Sequence, residues 1–270
     1  MIVYPHAKIN LGLHILEKRS DGFHNIESLL YPVELCDILE IKPAEQIRLF
    51  LYGLPIEGDP KNNLCLKAWE MLRQDFSIPP LQFHLYKRIP CGAGLGGGSS
   101  DGAYTLKLLN SYFSLDLSQE QLLSYAARLG SDCPSFIPKR PSLACGRGEQ
   151  ITAYDIDLSG FRILICRPPL FISTAQAYAR SRPKQPEHSL INALSLPVSL
   201  WKEHLINDFE EVLFPVFPVL RQYKETLYDS GAVYAALSGS GAALFGLYDS
   251  EEACNKGCKL LGSKSLIYTA

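Results

Sequence analysis

Apolar residues alternate loosely with polar ones over residues 1–16, where Lys8 and Asn10 stand two apart among Ala7, Ile9 and Leu11. That period predicts a strand with Lys8 and Asn10 on one face. Arg19-Ser20-Asp21-Gly22 is a turn signal, and residues 26–41 contain more strand-like sequence. Leu64, Ala68 and Leu72 recur at helical spacing behind Asn62 and Asn63, which read first as helix caps. Residues 81–86 read as a strand leading into a glycine-rich stretch, and Ala103, Leu106, Leu109 and Asn110 suit a helix after it. Ser118 with Gln121 predicts a capping box, with Leu122, Ala126 and Leu129 along one face and Gly130 closing the helix in the left-handed conformation. Residues 161–166 form an apolar run of strand length, and residues 232–237 and 242–248 read as two strands about a tight glycine turn.

Helices and strands interleave without a regular βαβ rhythm, which predicts an α+β fold rather than a doubly wound sheet. The expected boundary lies near residue 155, giving domains over 1–155 and 156–270. With 270 residues, 47% of them hydrophobic and 20% charged, the chain can bury a substantial core. The net charge of −2 shows no basic excess, which points to a small-molecule ligand rather than nucleic acid. The eight cysteines include no C-x-x-C pair and read as reduced thiols, with no metal site expected. The N-terminal sequence lacks a charged stretch followed by an apolar run, and the run over residues 212–220 holds Pro215 and Pro218. The expectation is a cytoplasmic protein with no membrane span.

The densest signal is Pro90-Cys91-Gly92-Ala93-Gly94-Leu95-Gly96-Gly97-Gly98-Ser99-Ser100-Asp101, with five glycines in the seven positions from Gly92 to Gly98. Glycine loses the most backbone entropy on folding, so something must require the missing side chains. Bare N–H groups ahead of a helix N-terminus can converge on phosphate oxygens. Ser99 and Ser100 stand where that helix is expected to start, able to cap it, bind phosphate or reach a Mg²⁺ ion. Gly92-x-Gly94-x-x-Gly97 also satisfies a dinucleotide fingerprint, but Asp116 sits in a loop-like segment rather than at a strand end. A P-loop would need Gly-Lys-Ser/Thr, and the stretch ends in Gly-Ser-Ser-Asp.

The stretch resembles the second motif of the GHMP kinase superfamily, which includes galactokinase and the homoserine and mevalonate kinases. Pro5-His6-Ala7-Lys8-Ile9-Asn10-Leu11 resembles the N-terminal motif, and Leu237-Ser238-Gly239-Ser240-Gly241-Ala242 the C-terminal one. Asp21-Gly22-Phe23-His24 and Gly130-Ser131-Asp132-Cys133-Pro134-Ser135-Phe136 bring the resemblance to the branch that phosphorylates an alcohol carrying a cytidine diphosphate handle, on the non-mevalonate isoprenoid route. Phe23, Ser131 and Gly102 depart from that branch's usual Tyr, Ala and Ala. Phe23 keeps an aromatic face and loses a hydroxyl.

The resemblance implies a two-domain GHMP kinase fold: an N-terminal domain of the ribosomal protein S5 domain 2 type, a C-terminal ferredoxin-like domain, and an active site in the cleft between them. It implies Lys8 and Asp132 as catalytic residues. Pro90, Cys91, Gly92, Ala93, Gly94, Leu95, Gly96, Gly97, Gly98, Ser99 and Ser100 would hold ATP, with Mg²⁺ carried on the nucleotide. Phe23 and Tyr178 would stack a cytosine whose edge His24 reads. Asn10, Ser173, Thr174, Gly239, Ser240 and Gly241 would line the substrate. Each residue also has a structural alternative: a helix cap for Asp132, an exposed edge-strand lysine for Lys8, core packing for Phe23 and Tyr178, a turn for His24 and a tight hairpin for the last glycines. A mevalonate- or homoserine-type kinase, a non-catalytic nucleotide sensor and a dinucleotide-dependent oxidoreductase stand as rival functions.

Overall fold

The computed structural model describes residues 1–56, 59–262 and 266–269. Its strands are β1 (Ile2–Val3), β2 (His6–Lys18), β3 (His24–Cys36), β4 (Ile38–Pro43), β5 (Arg48–Gly53), β6 (Leu81–Lys87), β7 (Ser142–Cys145), β8 (Gln150–Ala153), β9 (Arg162–Arg167), β10 (Tyr234–Leu237), β11 (Leu244–Tyr248) and β12 (Leu266–Thr269). Its helices are α1 (Leu64–Asp75), α2 (Gly97–Tyr112), α3 (Gln119–Leu129), α4 (Thr174–Arg180), α5 (Leu190–Leu194), α6 (Trp201–His204), α7 (Asp208–Leu213), α8 (Pro218–Asp229) and α9 (Glu251–Leu261). The chain forms two compact units, neither of them one continuous segment. The first holds residues 1–7, 32–91 and 96–140, and the second holds 8–31, 92–95 and 141–270.

In the first unit the sheet order is β1-β4-β6-β5, with β5 parallel to β6 and the other pairs antiparallel. Alternation buries Leu39 and Ile41 of β4 and Phe83 and Leu85 of β6 in one core with Ala68 and Leu72 of α1, Leu106 and Leu109 of α2 and Ala126 of α3. Each such leucine contributes about 1.5–3 kcal/mol when fully buried. Asn63 caps α1 by accepting from the Cys65 N–H, as its position before the helix predicts, while Asn62 lies in a preceding 3-10 turn. The Ser118–Gln121 capping box is formed in full. Gly130 is a correction: it sits at φ 178°, extended rather than left-handed, so α3 ends without the αL cap.

His6 begins β2 and packs its ring against Tyr104 and Phe136. Its Nδ1 lies 2.8 Å from the Ala7 carbonyl, while its Nε2 is buried with no partner among the described residues. Burial, helped by the charges of Lys107 and Lys139, lowers the imidazole pKa to about 4. Below pH 6.5 the unfolded chain therefore takes a proton that the folded chain refuses. Stability is full above about pH 6.5 and falls as the pH drops toward 4, by roughly 3 kcal/mol at 1.36 kcal/mol per unit. Thermal melts from pH 7.5 to 4.5 are expected to show this loss, and His6→Phe to flatten it. An unchanged slope in the variant would assign the acid sensitivity to other groups.

The second unit holds the sheet β10-β11-β9-β12 and, of the sheet β2-β3-β7-β8, all but residues 6–7 and 32–36. Pro218 at the start of α8 supplies the fixed φ of a first helical turn, and Ser250 caps α9 ahead of Glu251 and Glu252. Leu220 and Leu227 of α8, with Cys254 and Leu261 of α9, join Leu164, Cys166, Leu237 and Leu244 in one core. The eight cysteines are free thiols, four buried and four only half-buried. No helix among the described residues is long and apolar enough to cross a membrane.

Candidate active site

In the second unit the three glycine-associated motifs meet at one carbonyl. The strand period turns Lys8 and Asn10 the same way, and both are buried, Lys8 to 5% exposure. This excludes an exposed edge-strand lysine. The Lys8 ammonium donates to Asn10 Oδ1 at 2.5 Å and to the Gly94 carbonyl at 2.8 Å. The Gly94 carbonyl also accepts from Ser238 Oγ at 2.9 Å. Main-chain bonds reinforce the junction, from Lys8 N–H to Leu95 O at 3.1 Å and from Ala243 N–H to Ala93 O at 3.0 Å. Asn10 is itself oriented by donating Nδ2 to Ser28 Oγ at 2.8 Å. Gly239 and Gly241 take φ of 54° and 85°, so the tight turn between β10 and β11 is formed by the predicted residues.

The first unit carries the start of α2. Gly96 is the N-cap at φ 71°, and Ser100 N–H makes the first helical bond, to Gly96 O at 2.8 Å. The N–H groups of Gly97, Gly98 and Ser99 thus have no intrahelical partner, and a Cβ at Gly98 would meet nothing within 4 Å. Such a surface fits an anion. Ser99 and Ser100 lie inside the first turn, which removes capping from the three roles open to them: the chain turns helical as early as glycine permits. The Ser99 hydroxyl bonds to the Cys133 thiol, and the Ser100 hydroxyl is buried with no partner among the described residues. Pro90, Ala93 and Leu95 are buried, and Cys91 is half-buried.

Asp132 stands at the head of a 3-10 turn, Cys133–Phe136, with its side chain exposed and making no capping bond. The cap expected as its alternative role is therefore not formed. The turn is held from below: Lys107 of α2 donates to the Ile137 carbonyl at 3.1 Å, and Ser135 Oγ to the Asp132 carbonyl at 2.7 Å.

The residues expected to read a base are in the second unit. Phe23 is 50% exposed, with the Arg147 guanidinium 5.0 Å above its ring, so it is no core residue. Tyr178 is half-buried, edge-on to Phe209, and His24 stacks on it at 5.0 Å and 22°. Burial and then the Lys18 charge lower the His24 pKa, which favours the neutral ring. Ser173 is the N-cap of α4 in a capping box with Gln176, so its hydroxyl serves the helix. Thr174 Oγ1 accepts from Ser240 Oγ at 3.3 Å.

Asn207 escaped the sequence reading. Fully buried, it donates Nδ2 to the carbonyls of Leu237 and Gly239 at 2.8 and 2.9 Å and accepts from the Phe209 N–H. Its signal, an Asn just before α7, reads locally as a helix cap, which it also is.

The chain matches the models for the GHMP kinases N terminal domain over residues 63–138 and GHMP kinases C terminal over residues 198–259. It is 50% identical over 255 residues to the 4-diphosphocytidyl-2-C-methyl-D-erythritol kinase of Bacteroides thetaiotaomicron, covering 93% of each chain. It is 48% identical over 252 residues to that of Porphyromonas gingivalis, covering 92% of each. A crystal structure of 4-(cytidine 5'-diphospho)-2C-methyl-D-erythritol kinase superposes with a TM-score of 0.84 and 28% identity, over 100% of this chain and 98% of that one. A mevalonate kinase structure shares the fold at a TM-score of 0.74 and 14% identity, covering 100% of this chain and 98% of its own. The chain therefore belongs to the GHMP kinases and, within them, to the family of 4-diphosphocytidyl-2-C-methyl-D-erythritol kinases.

Proposed function

We propose that this chain transfers the γ-phosphoryl group of ATP to the 2-hydroxyl of 4-diphosphocytidyl-2-C-methyl-D-erythritol, forming the 2-phosphate in the non-mevalonate route to isoprenoid precursors. The observation that carries the reading is the convergence of Lys8, Asn10 and Ser238 around the Gly94 carbonyl, on a chain half identical to kinases of that name. Mevalonate and homoserine kinases share the fold, but at 14% and 17% identity that likeness extends to the fold alone.

Phosphoryl transfer rests on positioning and charge stabilisation more than on covalent chemistry. In this reading residues 90–100 hold the ATP phosphates through main-chain N–H groups, and Mg²⁺ travels with the nucleotide. Asp132 takes the proton of the attacking hydroxyl. A carboxylate is a far weaker base than an alkoxide, so the proton moves late, as the oxygen bonds to phosphorus. Lys8 stabilises negative charge on the attacking oxygen or the moving phosphoryl group. Its ammonium is already aimed by two acceptors, so little reorganisation is needed during reaction. Phe23 and Tyr178 give flat faces to the cytosine, His24 a hydrogen-bonding edge, and Asn10, Ser173, Thr174, Gly239, Ser240 and Gly241 line the rest of the substrate.

The test is ADP release with the cytidine-diphosphate alcohol, set against mevalonate and homoserine. Turnover is expected with the first alone, and turnover with either control in its place refutes the assignment. Tyr178→Ala is expected to raise the KM for the alcohol by about tenfold or more, a loss of about 1–2 kcal/mol of stacking, with the KM for ATP little changed. The opposite split would remove Tyr178 from the base site.

A further inference from the structure

Asp37, Lys87 and Asp101 are buried together in the first unit, with Lys87 only 1% exposed. The Lys87 ammonium donates to Asp37 Oδ2 and, at 2.6 Å, to Asp101 Oδ2. The other Asp37 oxygen accepts the N–H groups of Arg88 at 2.6 Å and Ile89 at 2.9 Å. These are the residues that lead into Pro90. Asp101 follows Ser100 in the opening turns of α2. One ion cluster therefore ties the entrance of the glycine-rich segment to its exit. Gly97 belongs to the same arrangement, since a Cβ there would lie 2.8 Å from Ile89 Cγ2 and 3.3 Å from Lys87 Nζ.

Burying ionised groups costs several kcal/mol each before pairing, and apolar side chains of similar volume often serve stability as well. Stability alone is thus a weak reason for three ionisable groups in this place. Burial works against the ammonium, but the two carboxylates outweigh it and raise the Lys87 pKa. Burial, with the Asp37 charge, raises that of Asp101.

We propose that Asp37, Lys87 and Asp101 are positioning residues for the phosphate loop, setting the distance between the strand that enters it and the helical turn that leaves it. The N–H groups of Gly97, Gly98 and Ser99 are thereby held in register for ATP. This rests on the reading of residues 90–100 as the ATP site.

Steady-state ADP release by the full chain tests it. Asp101→Leu leaves Lys87 paired with Asp37, so no carboxylate is stranded, and it is expected to fold with a melting temperature close to wild type. Its KM for ATP is expected to rise by about tenfold or more, with the KM for the alcohol within about twofold. Asp101→Asn keeps an oxygen toward Lys87 and is expected to hold the ATP KM within about threefold. An ATP KM within about twofold of wild type in folded Asp101→Leu overturns the proposal, as does a rise confined to the alcohol KM. Should Asp101→Leu not fold, Asp101→Asn decides: an ATP KM within about threefold supports the clamp, and a tenfold rise overturns it. Absence of ADP release by the wild-type chain would instead refute the kinase reading itself.

Discussion

Gly94→Ala is expected to lower kcat/KM by about a hundredfold or more. Gly94 sits at φ +77°, where an L-residue with a Cβ is strained by roughly 1–2 kcal/mol. The new Cβ would lie 1.9 Å from the Ser238 carbonyl oxygen, 2.9 Å from its carbon and 3.1 Å from the Gly241 nitrogen. All three are main-chain atoms, so no side chain can swing aside, and overpacking of this kind adds about 1–3 kcal/mol. Relief requires the second and third motifs to part. The Gly94 carbonyl that orients Lys8 would move with them. At 1.36 kcal/mol per factor of ten, even part of this cost appearing in the transition state gives the stated loss. Gly98→Ala is the folding control: φ there is not positive and the Cβ meets nothing, so its melting temperature should equal or exceed that of wild type. Steady-state kinetics with melting curves for both variants make the comparison. Near wild-type turnover in Gly94→Ala would mean that the junction is not part of the site.

Asp132→Asn is expected to reduce kcat by about 10²–10⁴, the range for a positioned acid or base, with little change in either KM. Its side chain is exposed and caps no helix, so the amide should cost little stability. Lys8→Met is expected to reduce kcat by about a hundredfold or more. Of the two acceptors it abandons, the Gly94 carbonyl keeps the single Ser238 hydroxyl hydrogen at 2.9 Å, while Asn10 Oδ1 loses its 2.5 Å donor, so a modest loss of stability accompanies the change. The methionine can fill the space of the lysine stem, so circular dichroism should show a folded chain. Turnover close to wild type in either folded variant removes that residue from the mechanism.

Much of the molecule was legible from spacing. The Ser118–Gln121 capping box and the paired apolar runs around Gly239 correspond to α3 and the β10–β11 hairpin, while the single strand read over residues 1–16 divides at Tyr4-Pro5 into β1 and β2, which belong to different sheets. One error was at a helix end. Gly130 was expected in the left-handed conformation because Gly usually closes helices that way, but here it passes as extended chain into the turn bearing Asp132. Of the three roles the sequence leaves open for Ser99 and Ser100, capping falls away, because Gly96 takes that position.

What the sequence determined by itself was the set of local choices: where strands alternate, where helices are capped, and that five glycines crowd one short stretch in which side chains must be missing. Tertiary structure alone decided which groups those choices serve. The partners of Lys87 lie 50 and 14 positions away, and the Gly94 carbonyl is shared by Lys8 and Ser238, 86 positions before it and 144 after. No periodicity links such residues. They are selected because a buried ammonium must find acceptors, and only the folded chain brings those oxygens within reach.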